Sequence, residues 1–268
     1  MNKIIVPTYS PELVALSFLV SAVGAFAALT ASAGIIGQGR RLNLLNLAAS
    51  AVALGGIGVW SMHFIGMLAV RVNMGVSYSM AETLVSLLAA VVGSGAALLW
   101  VAQRPRSWVR LAGAGTLLGL GVCVMHYLGM YGMRFAGYLA WSWPTAGLSV
   151  LVAIVAATAA LALAFRVRSF TGRVAGSLTM AAAVCAMHYT GMAAADFVCT
   201  SPNAQGFPQG FGYVPSLKLP AVVTAVSLGM AFIILVDQVF QRMAVTTAAT
   251  PTHGPAHRPA RGTAFNRS

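Results

Sequence analysis

Apolar positions along this chain gather into seven long runs separated by short polar breaks, at about residues 11–36, 44–70, 83–102, 111–133, 145–165, 174–198 and 221–240. Several exceed the roughly 18 residues that mark a membrane-spanning helix. Backbone N–H and C=O groups in lipid must pair within the protein, so runs of this kind are helices. The pattern predicts an all-α, polytopic membrane protein with seven transmembrane helices.

The breaks differ in charge. "GQGRR", "QRPRSWVR" and "RVRSFTGR" place eight arginines in the first, third and fifth connections, whereas the alternate turns hold Arg71 offset by Glu82, Arg134 alone, and Lys218 offset by Asp196. Positive residues collect on the cytoplasmic side, which predicts an external N-terminus (1–10) and a cytoplasmic C-terminus. The formal charge of +12 would raise the question of nucleic acid in a soluble chain. With 59% hydrophobic residues and the arginines confined to loops and tail, it points instead to anionic lipid head groups and no nucleic acid.

One motif recurs on alternate helices: "SMHFIGM" at 61–67, "VMHYLGM" at 124–130 and "AMHYTGM" at 186–192. Its histidines, His63, His126 and His188, are 63 and then 62 residues apart. This spacing divides residues 11–240 into three parallel two-helix repeats, at about 11–75, 76–138 and 139–200, followed by a last helix at 221–240. Each motif falls at the outer end of the second helix of its repeat.

Helical geometry sets residues four apart on one stripe, so His63 with Met67, His126 with Met130 and His188 with Met192 present an imidazole and a thioether together. Cys123 and Cys185 lie three residues before their histidines on the same side, while the first copy has Trp60 there. Met62, Met125 and Met187 lie about 100° round the helix. Gly66, Gly129 and Gly191, with further small residues seven and five positions before each histidine (Gly56 and Gly58, Gly119 and Gly121, Ala181 and Ala183), suit close helix packing. Phe64, Tyr127 and Tyr189 stand either as partners behind the ligands or as aromatic belt residues.

A single such histidine would be read as a polar group satisfied by a neighbouring helix. Here six of the 13 methionines and three of the five histidines share one context. Imidazole, thioether and thiol form a soft donor set that suits copper(I). Haem ligation by His and Met is a second possibility, and zinc fits less well because thioethers are poor zinc ligands.

The literal "MHYT" at 187–190, with "MHFI" and "MHYL" on alternate helices, resembles the MHYT domain family of bacterial integral-membrane sensors over about residues 10–240. The resemblance implies a multi-pass protein of the bacterial inner membrane with a copper site near the outer face, responding to oxygen, carbon monoxide or nitric oxide. Carried onto this chain, its ligands are Met62, His63 and Met67, Met125, His126 and Met130, and Met187, His188 and Met192. Phe64 departs from the pattern and offers no phenolic oxygen. Family members often continue into a cyclic-di-GMP enzyme or a histidine kinase, whereas residues 241–268 read as a short, basic, disordered tail. That leaves signalling to a separate cytoplasmic protein.

The acids Glu12, Glu82, Asp196 and Asp237 are scattered and no nucleophile or phosphate-loop motif accompanies them, so the chain reads as no enzyme. A copper-handling or copper-transport role is the alternative to sensing. A transport path should continue soft or polar ligands to the inner half, where Asn43, Asn46 and Met180 are the main ones available.

Overall fold

Every membrane helix of the first three pairs starts just after a serine or asparagine, a residue type that ends extended backbone and can accept from a free N–H of the first turn. In the computed structural model, which describes residues 3–37, 41–201, 205–216 and 219–248, Ser10, Ser79 and Ser142 precede α1 (Pro11–Ser32), α4 (Met80–Gln103) and α6 (Trp143–Arg166). Asn43, Ser107 and Ser169 precede the partner helices. Their side chains accept from the N–H groups of Asn46, Arg110 and Gly172 respectively. These partners are the composite span α2 (Leu44–Ala51), a π-helical stretch (Val52–Ser61) and α3 (Met62–Ala69), then α5 (Trp108–Tyr131) and α7 (Phe170–Met192). With α8 (Leu219–Ala248), seven helical spans are long and apolar enough to cross a membrane.

The seven helices stand where the apolar runs place them, with two differences at the ends. The sixth ends at Met192, and residues 195–198, predicted as its last turn, belong to strand β7 (Ala195–Cys199). The last helix continues past residue 240 to Ala248. Its end is held by Gln238 and Gln241, which bond the buried Asn46 side chain at 2.6 and 3.0 Å. The rest of the tail expectation, residues 249–268, lies outside the described residues.

Short strands cap the motif end. They form antiparallel sheets β1 (Lys3–Ile5)–β7–β6 (Gly137–Trp141), β2 (Thr8–Tyr9)–β3 (Val70–Arg71) and β5 (Met133–Arg134)–β4 (Ser77–Ser79)–β8 (Tyr213–Pro215). Long apolar runs give no hint of them. Each strand is two to five residues, too short for a period-2 pattern to stand out.

Six spans close into a ring in which α1 meets the π stretch, then α4, α5, α6 and α7 follow, and α7 packs back on α1. The motif-bearing α3, α5 and α7 also touch one another inside that ring. α8 lies outside it, against α1 and the π stretch, where Ser227 and Ser61 share a buried hydrogen bond of 2.6 Å.

Backbones meet where glycines allow it. A Cβ at Gly24 would stand 2.4 Å from the Gly58 backbone nitrogen, and one at Gly55 2.3 Å from the Ala90 carbonyl oxygen. Backbone atoms cannot rotate aside, so Gly24→Ala must push α1 off the π stretch. It should cost about 3 kcal/mol, seen as a lower thermal unfolding midpoint in detergent. Gly93→Ala is the control: its Cβ would find nothing nearer than 3.9 Å, and alanine is the better helix former. Gly93→Ala should leave the midpoint unchanged or raise it.

Candidate metal centre

The three motif helices end at the same height, and the ring turns their histidines inward. His63, His126 and His188 are each no more than 1% exposed, and their ligand nitrogens all lie within 4.8 Å of one another. Nδ1 of His63 is 3.1 Å from Nδ1 of His188 and 3.1 Å from Nδ1 of His126. The rings meet edge to face, with centroids 4.8 to 5.2 Å apart.

A neutral imidazole carries one N–H and one lone pair, each on its own nitrogen. Nδ1 of His63 therefore cannot donate to one neighbour while accepting from the other. Its single N–H or single lone pair is shared between the two 3.1 Å contacts, so neither is a full-strength hydrogen bond.

The opposite edges of the rings explain the motif glycines. A Cβ at Gly66 would lie 2.3 Å from Nε2 of His188, one at Gly129 2.3 Å from Nε2 of His63, and one at Gly191 2.4 Å from Nε2 of His126. Each motif thus supplies an imidazole to one neighbour and a glycine seat to the other, in a closed cycle. None of the three buried Nε2 atoms makes a hydrogen bond of ordinary geometry. These glycines make room for a side chain at the centre; backbone contact between helices is made at Gly24, Gly55 and Gly119.

The converging nitrogens fit a metal ion. Three nitrogens bound at about 2.0–2.1 Å, at angles between tetrahedral and trigonal, lie roughly 3.3–3.5 Å apart. The two 3.1 Å separations made by His63 need a spread of only a few tenths of an ångström, and the third pair lies within 4.8 Å. With protons on Nε2, all three lone pairs point inward, where a cation would relieve their repulsion.

The other motif residues surround this centre. Met67, Met130 and Met192 are buried in the main apolar core. Met125 packs on Val59 and Ala90, Met187 on Cys123 and Ala153, and Met62 is 1% exposed. Cys185 bonds Ser17. The group of His, Cys, Asp and Glu side chains able to share one ion among the described residues is the three histidines, without Cys123 or Cys185.

Behind each histidine stands an aromatic ring, and the next helix round the ring sets a serine beside the motif. Tyr189 OH lies 3.1 Å from Ser17 Oγ and Tyr127 OH 2.6 Å from Ser149 Oγ. Phe64 has no hydroxyl, and Ser86, the corresponding serine, is taken by the indole N–H of Trp60 at 3.0 Å. The two departures in the first copy thus compensate each other. A further ring from the strand layer meets each motif aromatic: Tyr9 on Tyr189, Tyr78 on Phe64 and Trp141 on Tyr127. Burial raises the pKa of Tyr9 and Tyr78 above the ordinary phenol value, so both cap the site uncharged. The serines and capping rings were missed in the sequence, although each capping ring sits two residues before its helix and each serine six after the helix start. At the rim Arg134 pairs with Glu82, and Arg71 donates to Ser10 Oγ at 3.3 Å.

Comparison with known proteins places this arrangement. The family model described as a bacterial signalling protein N-terminal repeat, MHYT, matches residues 56–114, 119–177 and 182–249, each unit opening within a motif-bearing span. The bifunctional diguanylate cyclase/cyclic di-GMP phosphodiesterase MucR of Pseudomonas aeruginosa is 36% identical over 232 residues, 84% of this chain and 34% of that protein. The cyclic di-GMP phosphodiesterase NbdA of the same organism is 37% identical over 70% of this chain and 24% of its own length. The signaling protein YkoW of Bacillus subtilis is 29% identical over 71% of this chain, again 24% of its length. The chain therefore spans only 24–34% of the length of these relatives. No solved structure matches it. With three matched repeats covering most of its helices, the chain belongs to the MHYT family of bacterial signalling-protein repeats.

Proposed function

We propose that this multi-pass membrane protein is a sensor domain that holds one copper ion on Nδ1 of His63, His126 and His188. The observation that carries the reading is the convergence of three buried imidazole nitrogens with no carboxylate in the group. Three neutral ligands leave the full ionic charge in a low-dielectric interior. The cost of burying a charge rises with its square, so a divalent ion costs about four times as much as a monovalent one. That favours copper(I) over zinc. The buried thioethers of Met62, Met67, Met125, Met130, Met187 and Met192 give it a soft, polarizable surround. Rings in mutual contact leave no slot for a haem macrocycle.

Three protein ligands leave a coordination position for a diatomic gas. Binding there, or oxidation to the divalent ion, changes the preferred geometry and hence the packing of α3, α5 and α7. Two features support transmission to a cytoplasmic signalling protein. Ser61, two residues before His63, bonds α8 through Ser227, and a ten-residue π stretch links that point to Asn46 at the arginine-rich end. π-Helical turns often mark functional segments. The arginine-rich connections also support a cytoplasmic location for that end, with the site near the outer face of the inner membrane. Anionic lipid would then meet the inner loops. Copper transport is less well supported, because the cavity beside the site, about 30 Å³ and lined by residues including Leu54, Val59, Leu118, Met180 and Met187, is apolar throughout. The names of MucR and NbdA place cyclic di-GMP chemistry in proteins where this domain is a fraction of the length. We accordingly assign this chain no catalytic activity of its own.

Metal analysis after copper(I) loading and desalting should give about one copper per chain, with zinc below that level under competition. Carbon monoxide should then add an infrared band of a copper carbonyl. Copper at background would sink the metal reading; bound copper without a carbonyl band would leave the metal and remove the gas.

A further inference from the structure

At the end of the bundle opposite the histidines, a cavity of about 890 Å³ opens among the first, third and fifth connections. Its lining includes Arg106, Arg166 and Arg168 and no acidic residue. The contrast with the motif end is sharp, since Arg134 there is neutralised by Glu82. Arg166 is held face-on by the Trp108 ring at 4.2 Å, a contact that uses none of its N–H donors. Arg168 is pinned by the carbonyls of Ala33 and Phe165, which fixes its charge without cancelling it. Arg106 makes no hydrogen bond or ion pair among the described residues.

Apart from Gln103, the rest of the wall is apolar. Leu42 and Leu99, 41% and 37% exposed, lie beside Ile36 and Phe165. Three cationic groups, two of them held in place, next to an open apolar wall, at the level where helices leave the membrane, suit an amphiphile with an anionic head. Basic pockets between membrane helices bind phosphate-bearing lipid head groups in this way.

We propose that this cavity is a specific site for an anionic phospholipid, its phosphate held by Arg106, Arg166 and Arg168 and one acyl chain lying along Leu42 and Leu99. The site is independent of the metal centre.

Native mass spectrometry of the full chain in neutral detergent, titrated with phosphatidylglycerol, tests it. One lipid should bind in preference to phosphatidylcholine. Arg106→Gln, which breaks no internal bond, should weaken it about fivefold, and the triple variant Arg106→Gln/Arg166→Gln/Arg168→Gln about a hundredfold. Replacing Arg258, Arg261 and Arg267 of the tail by Gln should leave it unchanged. Equal binding by Arg106→Gln and by the triple variant to that of wild type, or equal retention of phosphatidylcholine, would overturn the site. Inorganic pyrophosphate displacing the lipid at equal concentration would show a soluble anion to be the ligand and overturn the lipid assignment.

Discussion

His63→Ala should bring copper binding down to background, with a loss of affinity of more than about a hundredfold, whereas Cys123→Ala should bind as wild type does. His63 is the hub of the cluster, the ring whose Nδ1 stands 3.1 Å from both of the others. Removing it leaves two imidazoles that cannot encircle an ion and opens a buried void between them. Cys123 is packed on Met187 and Ala153 and is not a member of the three-histidine group. Met67→Leu separates the remaining possibilities. If the thioether only surrounds the ion, the loss should lie within the ten- to hundredfold range of groups behind the ligands. A loss as large as that of His63→Ala would make Met67 a ligand. Because a metal that binds only the folded state stabilises it, bound copper should also raise the unfolding midpoint of wild type and of Cys123→Ala, and leave that of His63→Ala unmoved. A copper-dependent rise in His63→Ala would place the ion elsewhere.

The helices were legible because lipid removes the alternatives: an apolar run long enough to span can pair its backbone only with itself. The strand layer at the motif end was not, since pairings such as Thr8 with Arg71 or Ser77 with Pro215 depend on where separate helices end. The three histidines were legible from their recurrence. The ring that brings them together has to be known before intrahelical stripes can be ranked. Positions three and four apart share a helix face, which is why Cys123 and Met130 looked equivalent to one another beside His126. In the folded ring the inward face is narrower than the stripe. It admits His126, while Cys123 turns toward α6 through Ala153. The compensating pair Trp60 and Phe64 shows the same limit from the other side. Each substitution looks like a loss until Ser86 is seen to serve Trp60 where Ser17 and Ser149 serve tyrosines.

Gly129→Ala should remove copper binding nearly as completely as His63→Ala, although it adds one methyl group and deletes no ligand. The new Cβ would sit 2.3 Å from Nε2 of His63, well inside contact distance. The imidazole is buried and already touches His126 and His188, so it cannot swing aside without leaving the cluster. Overpacking of this kind also costs about 1–3 kcal/mol of stability. A double-mutant cycle isolates the cause. If the penalty is the clash with the His63 ring, Gly129→Ala should be destabilising alone and nearly neutral in a His63→Ala background, because the ring it strikes is gone. Additive costs would mean that Gly129 is needed for helix packing and that the seat is incidental. The same cycle applies to Gly66 with His188 and to Gly191 with His126, whose separations are 2.3 and 2.4 Å. Non-additivity in all three pairs, and its absence for Gly129 with His188, would establish that each motif is read by its neighbour and that the three copies build one centre.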